Sequence, residues 1–206
     1  MAGMLALTSP SAMANAKLEI ISGTHSATVT ANALGVATFT GNVGSWALTL
    51  TSGTTFPTLG SPAVPTLDIA SLVGSGTAPL EILFSDDGYT HAGVAALQLH
   101  LNVANNLQSV MLALFADANG DLLDTTGTAV ATASLAGSGS VAAHGLITRT
   151  GPYALTEEIL ITPVLHKKAS IVSLDGTVTV PDGGLTLASL GSLFVVLGGV
   201  SRRFRK

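Results

Sequence analysis

Ala95-Ala-Leu-Gln-Leu-His-Leu-Asn-Val103 decides the fold class. Leu97, Leu99, Leu101 and Val103 alternate with Gln98, His100 and Asn102. Successive side chains of a β-strand point to opposite faces, so this stretch predicts a strand with one buried and one solvated face. Trp46-Ala-Leu48-Thr-Leu50 repeats the alternation. Leu80–Phe84, Val110–Phe115 and Ile159–Leu165 are more uniformly apolar, as buried central strands are.

Working outward, further strands are expected at Leu18–Ile21, Ala27–Thr30, Val36–Thr40, Leu67–Leu72, Val130–Leu135, Val141–Ile147 and Ile171–Val180. Gly41-Asn42, Asp86-Asp87-Gly88, Asn119-Gly120-Asp121, Gly137-Ser-Gly139 and Asp175-Gly176 carry turn chemistry. Thr51–Pro65, with three prolines, reads as a long loop. No convincing amphipathic helix and no solenoid repeat occurs before the tail. Many short strands with frequent turns predict an all-β fold, an antiparallel β-sandwich of jelly-roll or Ig-like type, over residues 17–179. A body of that length can bury a proper core without disulfides, and the chain has no cysteine. With charged residues at 10% and aromatics at 4%, it fits an exported surface domain better than a cytosolic enzyme.

The carboxyl end is different. Val180-Pro-Asp-Gly-Gly184 precedes an apolar run at 185–201 and the basic tail Arg202-Arg-Phe-Arg-Lys206. The 19 residues from Gly183 to Ser201 carry no charge. As a helix they would span roughly 28 Å, close to the hydrocarbon thickness of a bilayer. Arg202, Arg203, Arg205 and Lys206 supply half of the chain's 8 basic residues and act as a topology signal, since basic clusters stay cytoplasmic. Residues 1–201 keep 4 basic against 12 acidic groups, a balance that offers nucleic acid no footprint. The expected organisation is a signal-peptide remnant (1–16), a β-sandwich ectodomain (17–179) and a C-terminal sorting signal (180–206) with one hydrophobic helix.

This order of motif, apolar segment and basic tail resembles the PEP-CTERM family, in its VPDSG-type variants. Val180, Pro181, Asp182 and Gly183 match, and Gly184 stands where Ser often appears; Asp182 replaces the Glu of the commoner motif. The resemblance implies recognition of Val180–Gly184 by a membrane-embedded exosortase, with removal of the hydrophobic tail. The protein would then pass transiently through the inner membrane to the cell surface or the extracellular matrix, associated with exopolysaccharide. Val36–Trp46, Pro65–Asp68 and Leu80–Gly88 also resemble a recurrent ectodomain of such proteins, which implies a shared fold and no chemistry.

At the front, Ala12-Met-Ala14 and Ala14-Asn-Ala16 are overlapping small-x-small sites after a short apolar stretch, as in the second half of a secretory signal peptide. Cleavage is expected after Ala14 or Ala16. No basic residue precedes Lys17, which places the expected start codon upstream.

The search for chemistry is nearly empty. His25, His91, His100, His144 and His166 are scattered, and there is no HExxH, Gly-x-Ser-x-Gly or P-loop pattern. His100 reads as a solvent-facing strand residue. Glu157 and Glu158 are adjacent, so on a strand they face opposite ways and cannot form a glycosidase dyad. Asp117, Asn119, Asp121 and Asp124 space oxygens as calcium loops do, but lack the glycine and glutamate of an EF-hand, so a polar turn is the simpler reading. No cofactor, metal or enzymatic activity is expected. The alternative to an exosortase-sorted matrix protein is a carbohydrate-binding or adhesive module held permanently by its anchor, with Trp46, Tyr89 and Tyr153 as the available aromatic platforms.

Overall fold

The computed structural model describes residues 15–149, 151–164 and 168–181. Most of the expected leader, and the sorting signal from Asp182 onward with its helix and basic tail, lie outside the described residues.

Among the described residues, twelve antiparallel strands form two six-stranded sheets. The first sheet runs in the order β2 (His25–Thr30), β1 (Lys17–Ser22), β6 (Leu80–Tyr89), β11 (Tyr153–Pro163), β8 (Leu107–Asp117), β9 (Ala131–Leu135). The second runs β10 (Gly139–Ile147), β7 (Gly93–Asn105), β12 (Ser170–Thr179), β5 (Thr66–Gly76), β4 (Trp46–Thr54), β3 (Val36–Val43). From β5 onward the chain mostly crosses between sheets at successive strands. The expected all-β class and antiparallel pairing are both present.

The sheets face each other across one core. In the first sheet Ile20, Ile82 and Ile159 stand opposite one another in register and are fully buried. In the second, Leu97, Leu99 and Leu101 of the decisive alternating stretch are buried while Gln98, His100 and Asn102 are exposed. Trp46 fills the space under Gly74 and Gly76 on β5, and its indole N–H donates to the Ala78 carbonyl at 2.7 Å. A tryptophan whose N–H finds a partner can be wholly interior.

Because the strands alternate in direction, their connections gather at two poles. One pole carries the short links 23–24, 44–45, 77–79, 106 and 136–138, with Val164 and Ala169, at the ends of the longer β11–β12 connection, bonded to Asn106. The other carries 31–35, 55–65, 118–130 and 148–152, together with the 90–92 link. We call these the turn pole and the loop pole.

Three expected turns are strand instead. Gly41-Asn42 lies inside β3 at a register shift, and the turn falls at Gly44-Ser45. Asp86-Asp87-Gly88 ends β6 with Asp86 buried, and Asp175-Gly176 sits in mid-β12 at a bulge. The long loop also starts later than expected, since β4 runs to Thr54. A bulge admits turn-prone residues without ending the strand.

Candidate functional site

Of the motif Val180–Gly184, the structure describes Val180 and Pro181, and both sit at the loop pole. Val180 is fully buried, and its N–H donates to the Pro65 carbonyl at 2.9 Å. Pro181 is exposed and lines a groove of about 540 Å³ with His91, Val94, Ala96, His144 and Leu146. The other end of the body is at the same pole. Ala16 is fully buried, and its carbonyl accepts from the Ala31 N–H at 2.8 Å, just before Lys17 pairs with Thr30.

The outer face of the second sheet carries a row of linked polar side chains. Ser140, His100 and Asp175 are cross-strand neighbours on β10, β7 and β12. His100 Nδ1 lies 2.5 Å from Ser140 Oγ, and its Nε2 lies 2.7 Å from Asn102 Oδ1. Asn102 Nδ2 donates to Asp175 Oδ2 at 3.4 Å, and the Ser71 N–H donates to Asp175 Oδ1 at 2.7 Å. Ser71 holds φ at 56°, an unusual value for a residue with a side chain, at the bulge that brings its N–H to Asp175. One row along, Thr177 Oγ1 donates to Asp68 Oδ1 at 2.7 Å. Burial raises the Asp68 carboxyl above its usual range, the Thr177 bond opposes this, and the Asp175 charge adds to it. The groove beside this network measures about 440 Å³, with Gln98, His100, Ser140, Asp175 and Thr177 among its walls. No Lys or Arg occurs on any strand of this sheet. The face therefore offers hydroxyl, amide, imidazole and carboxylate groups, and no lysine or arginine for an anionic ligand.

Inside the sandwich lies a carboxyl that sequence reasoning missed. Glu157 is fully buried, facing the second sheet, and neither carboxyl oxygen has a hydrogen-bonding partner among the described residues. A Cβ added at Gly176 would come within 2.7 Å of its Oε1, so a larger residue there would have to displace the end of the Glu157 side chain. Burial pushes the Glu157 carboxyl well above its ordinary range, and the Asp68 charge adds to the effect. Burial without a hydrogen-bonding partner favours the neutral form of a carboxyl. Its parity with Leu155, Ile159 and Ile161 is the signal that marks it as interior. Glu158 lies on the opposite face, so the two do not form a pair.

A second buried polar cluster ties the loop pole together. Tyr89 Oη lies 2.6 Å from Thr55 Oγ1 and donates to Asp86 Oδ2 at 3.2 Å, while Thr55 Oγ1 also reaches Asp86 Oδ2 at 3.0 Å. Burial raises both Asp86 and Tyr89, with their mutual charge interaction contributing to the tyrosine shift. Tyr153 donates to the His91 carbonyl, and burial pushes its hydroxyl up to about 12.

Trp46, Tyr89 and Tyr153 are each only 1% exposed, so none can act as a sugar-stacking platform. The expectation that they could is overturned: all three anchor the interior. Asp117, Asn119, Asp121 and Asp124 fall in and beside the β8–β9 connection. The Asp117 carboxylate is occupied as acceptor for the N–H groups of Asn119 and Asp121, the geometry of a polar turn. Asp124 accepts from the Thr126 N–H, which lowers its carboxyl. No group of three or more His, Cys, Asp or Glu that could hold a metal ion occurs among the described residues.

No protein-family model matches the chain. A search of curated proteins finds no match. Among solved structures, TmCBM61 in complex with β-1,4-galactotriose is similar over 66% of this chain and 88% of its own, at 10% identity and a TM-score of 0.31. Arabinose-bound MgGH51 α-L-arabinofuranosidase is similar over 77% of this chain and 26% of its own, at 14% identity and a TM-score of 0.26. Eiger TNF from S. frugiperda is similar over 82% and 94%, at 10% identity and a TM-score of 0.24. Likenesses of this size carry no argument about ligand or activity.

Proposed function

We propose that this chain is an exported bacterial surface or extracellular-matrix protein without catalytic activity, sorted by its carboxyl end. The observation that carries the reading is the order of Val180–Gly184, the apolar run 185–201 and the basic residues Arg202, Arg203, Arg205 and Lys206. A membrane-embedded exosortase would recognise the first element while the second and third hold the chain across the inner membrane. The body is read as a jelly roll, because the strand orders β5-β12-β7-β10 and β6-β11-β8-β9 are those of its two sheets, extended by β4-β3 and β1-β2. Intact mass of the protein from cells with and without the exosortase tests the sorting. Loss of the hydrophobic tail only when the enzyme is present supports it; a full-length, membrane-held product in both strains replaces it with a permanent anchor.

A second reading, a module that binds neutral polysaccharide, is favoured by the outer face of the second sheet. Its polar groups are pre-ordered by mutual hydrogen bonds and include no lysine or arginine, which suits a polyhydroxylated, uncharged ligand. Glycan-array binding that disappears in Gln98→Ala and Asp175→Ala would support this reading; binding unchanged in both would end it.

A further inference from the structure

We propose that the fold confines both maturation cuts: the leader is removed after Ala14 and not after Ala16, and the C-terminal cut lies beyond Pro181. The inference rests on the export reading above, and it chooses between two N-terminal sites that the small-x-small pattern leaves equal.

Ala16 and Val180 are the first and last described residues of the interior, both fully buried and both at the loop pole. Each is closed by one backbone hydrogen bond to a neighbouring connection, from Ala31 to the Ala16 carbonyl and from Val180 to the Pro65 carbonyl. Tolerance of a chain end to removal follows from the burial and hydrogen bonding of its backbone, and here each end residue is fully buried and holds one backbone hydrogen bond. The residues just outside, Asn15 and Pro181, are exposed.

The two cuts are constrained differently. Leader removal precedes folding, so there the constraint falls on the product. A chain beginning at Lys17 lacks the acceptor for the Ala31 N–H and brings a new α-ammonium to the edge of the core, where an unpaired charge is costly. A chain beginning at Asn15 keeps that charge in water. The C-terminal cut meets a folded body, so there the constraint falls on access. Up to Thr179 the chain is paired with β5 and β7, and Val180 packs against Gly93. A peptidase could engage the backbone before Pro181 only after that end of β12 unravels. Val180 and Pro181 therefore stay with the body, and new termini are produced at one and the same pole.

The test digests the full chain, in detergent, with proteinase K and reads the resistant fragment by intact mass; the same reading is made on protein recovered from producing cells with and without the exosortase. The resistant core is expected to begin no later than Ala16 and to end no earlier than Val180. The matured product is expected to begin at Asn15 and to end at Pro181 or later. A folded resistant core lacking Ala16 or Val180, or a mature product beginning at Lys17 or ending at or before Val180, overturns the inference. An uncut carboxyl end in both strains defeats the sorting reading instead, and the proteolytic boundaries still decide this one.

Discussion

The two poles of the sandwich solve the same problem in different ways. At the turn pole, connections of one to three residues join most of the strands, and the core beneath is closed by one large side chain, Trp46 under Gly74 and Gly76. At the loop pole, long connections need internal ties, supplied by the Thr55–Asp86–Tyr89 cluster and by the Ala16 and Val180 backbone bonds. The contrast is between stability from apolar volume and stability from satisfied polar groups. The first is tolerant of pH and costly to hollow out; the second is lost when a single partner is removed.

Hollowing the turn pole is the most severe way to break the comparison. Trp46→Ala should cost about 3–5 kcal/mol, by the usual cost of removing a buried Trp. That would lower the melting temperature by about 6–20 °C in a domain of this size, read by circular dichroism. A loss under about 1 kcal/mol would show that Trp46 does not carry that pole.

The loop pole is probed by Tyr89→Phe, which keeps the ring and removes the hydroxyl shared with Thr55 and Asp86. Thr55 and Asp86 keep their bond to each other, so the loss of the tyrosine's hydrogen bonds should cost about 0.5–1.5 kcal/mol in urea unfolding. A neutral result would mean that the cluster rearranges around the gap.

Glu157 lies between the poles and sharpens the comparison by pH. Its folded carboxyl is raised above the unfolded one, so folding binds a proton. That contribution is fully present below the unfolded carboxylate range and is lost as pH rises through the folded value, by at most about 1.4 kcal/mol per pH unit. Stability should therefore fall as pH rises above the ordinary carboxylate range, and Glu157→Gln should flatten the fall. Identical pH slopes for the two proteins, measured by denaturant titration, would remove Glu157 from the account. Asp68, Asp86 and Glu158, also raised, act in the same direction and leave a residual slope.

The smallest effect compares the connections themselves. Gly23 at the turn pole and Gly120 at the loop pole have φ of 63° and 76°, and a Cβ at either meets nothing within 4 Å. Alanine at a left-handed position costs roughly 1 kcal/mol or a little more. The full cost is expected for Gly23→Ala in a two-residue link, and a smaller one for Gly120→Ala, where the long connection can relax. Equal shifts in thermal melts would contradict that difference.

Much of the first pole was legible in the sequence, because period-two alternation and short glycine turns are local signals. Leu97, Leu99 and Leu101 declare their face within nine residues. The second pole was not. Asp86 looks like a turn residue until Thr55, 31 positions away, is brought against it. Asp175-Gly176 reads as a turn for the same reason: what lies against the glycine is the end of Glu157, which belongs to the other sheet. The polar face around His100 was half visible, since the alternation exposes His100 but the partnership with Ser140 and Asp175 comes from pairing across strands.

One consequence of the shared exit of Ala16 and Val180 is mechanical. Force applied between the two ends of the body would peel the sheets open from the loop pole, loading a few backbone bonds at a time. Force between the carboxyl end and the turn pole would instead load many bonds of the ladder together. A body tethered at its carboxyl end and gripped at the far pole is thus held along its stiff direction.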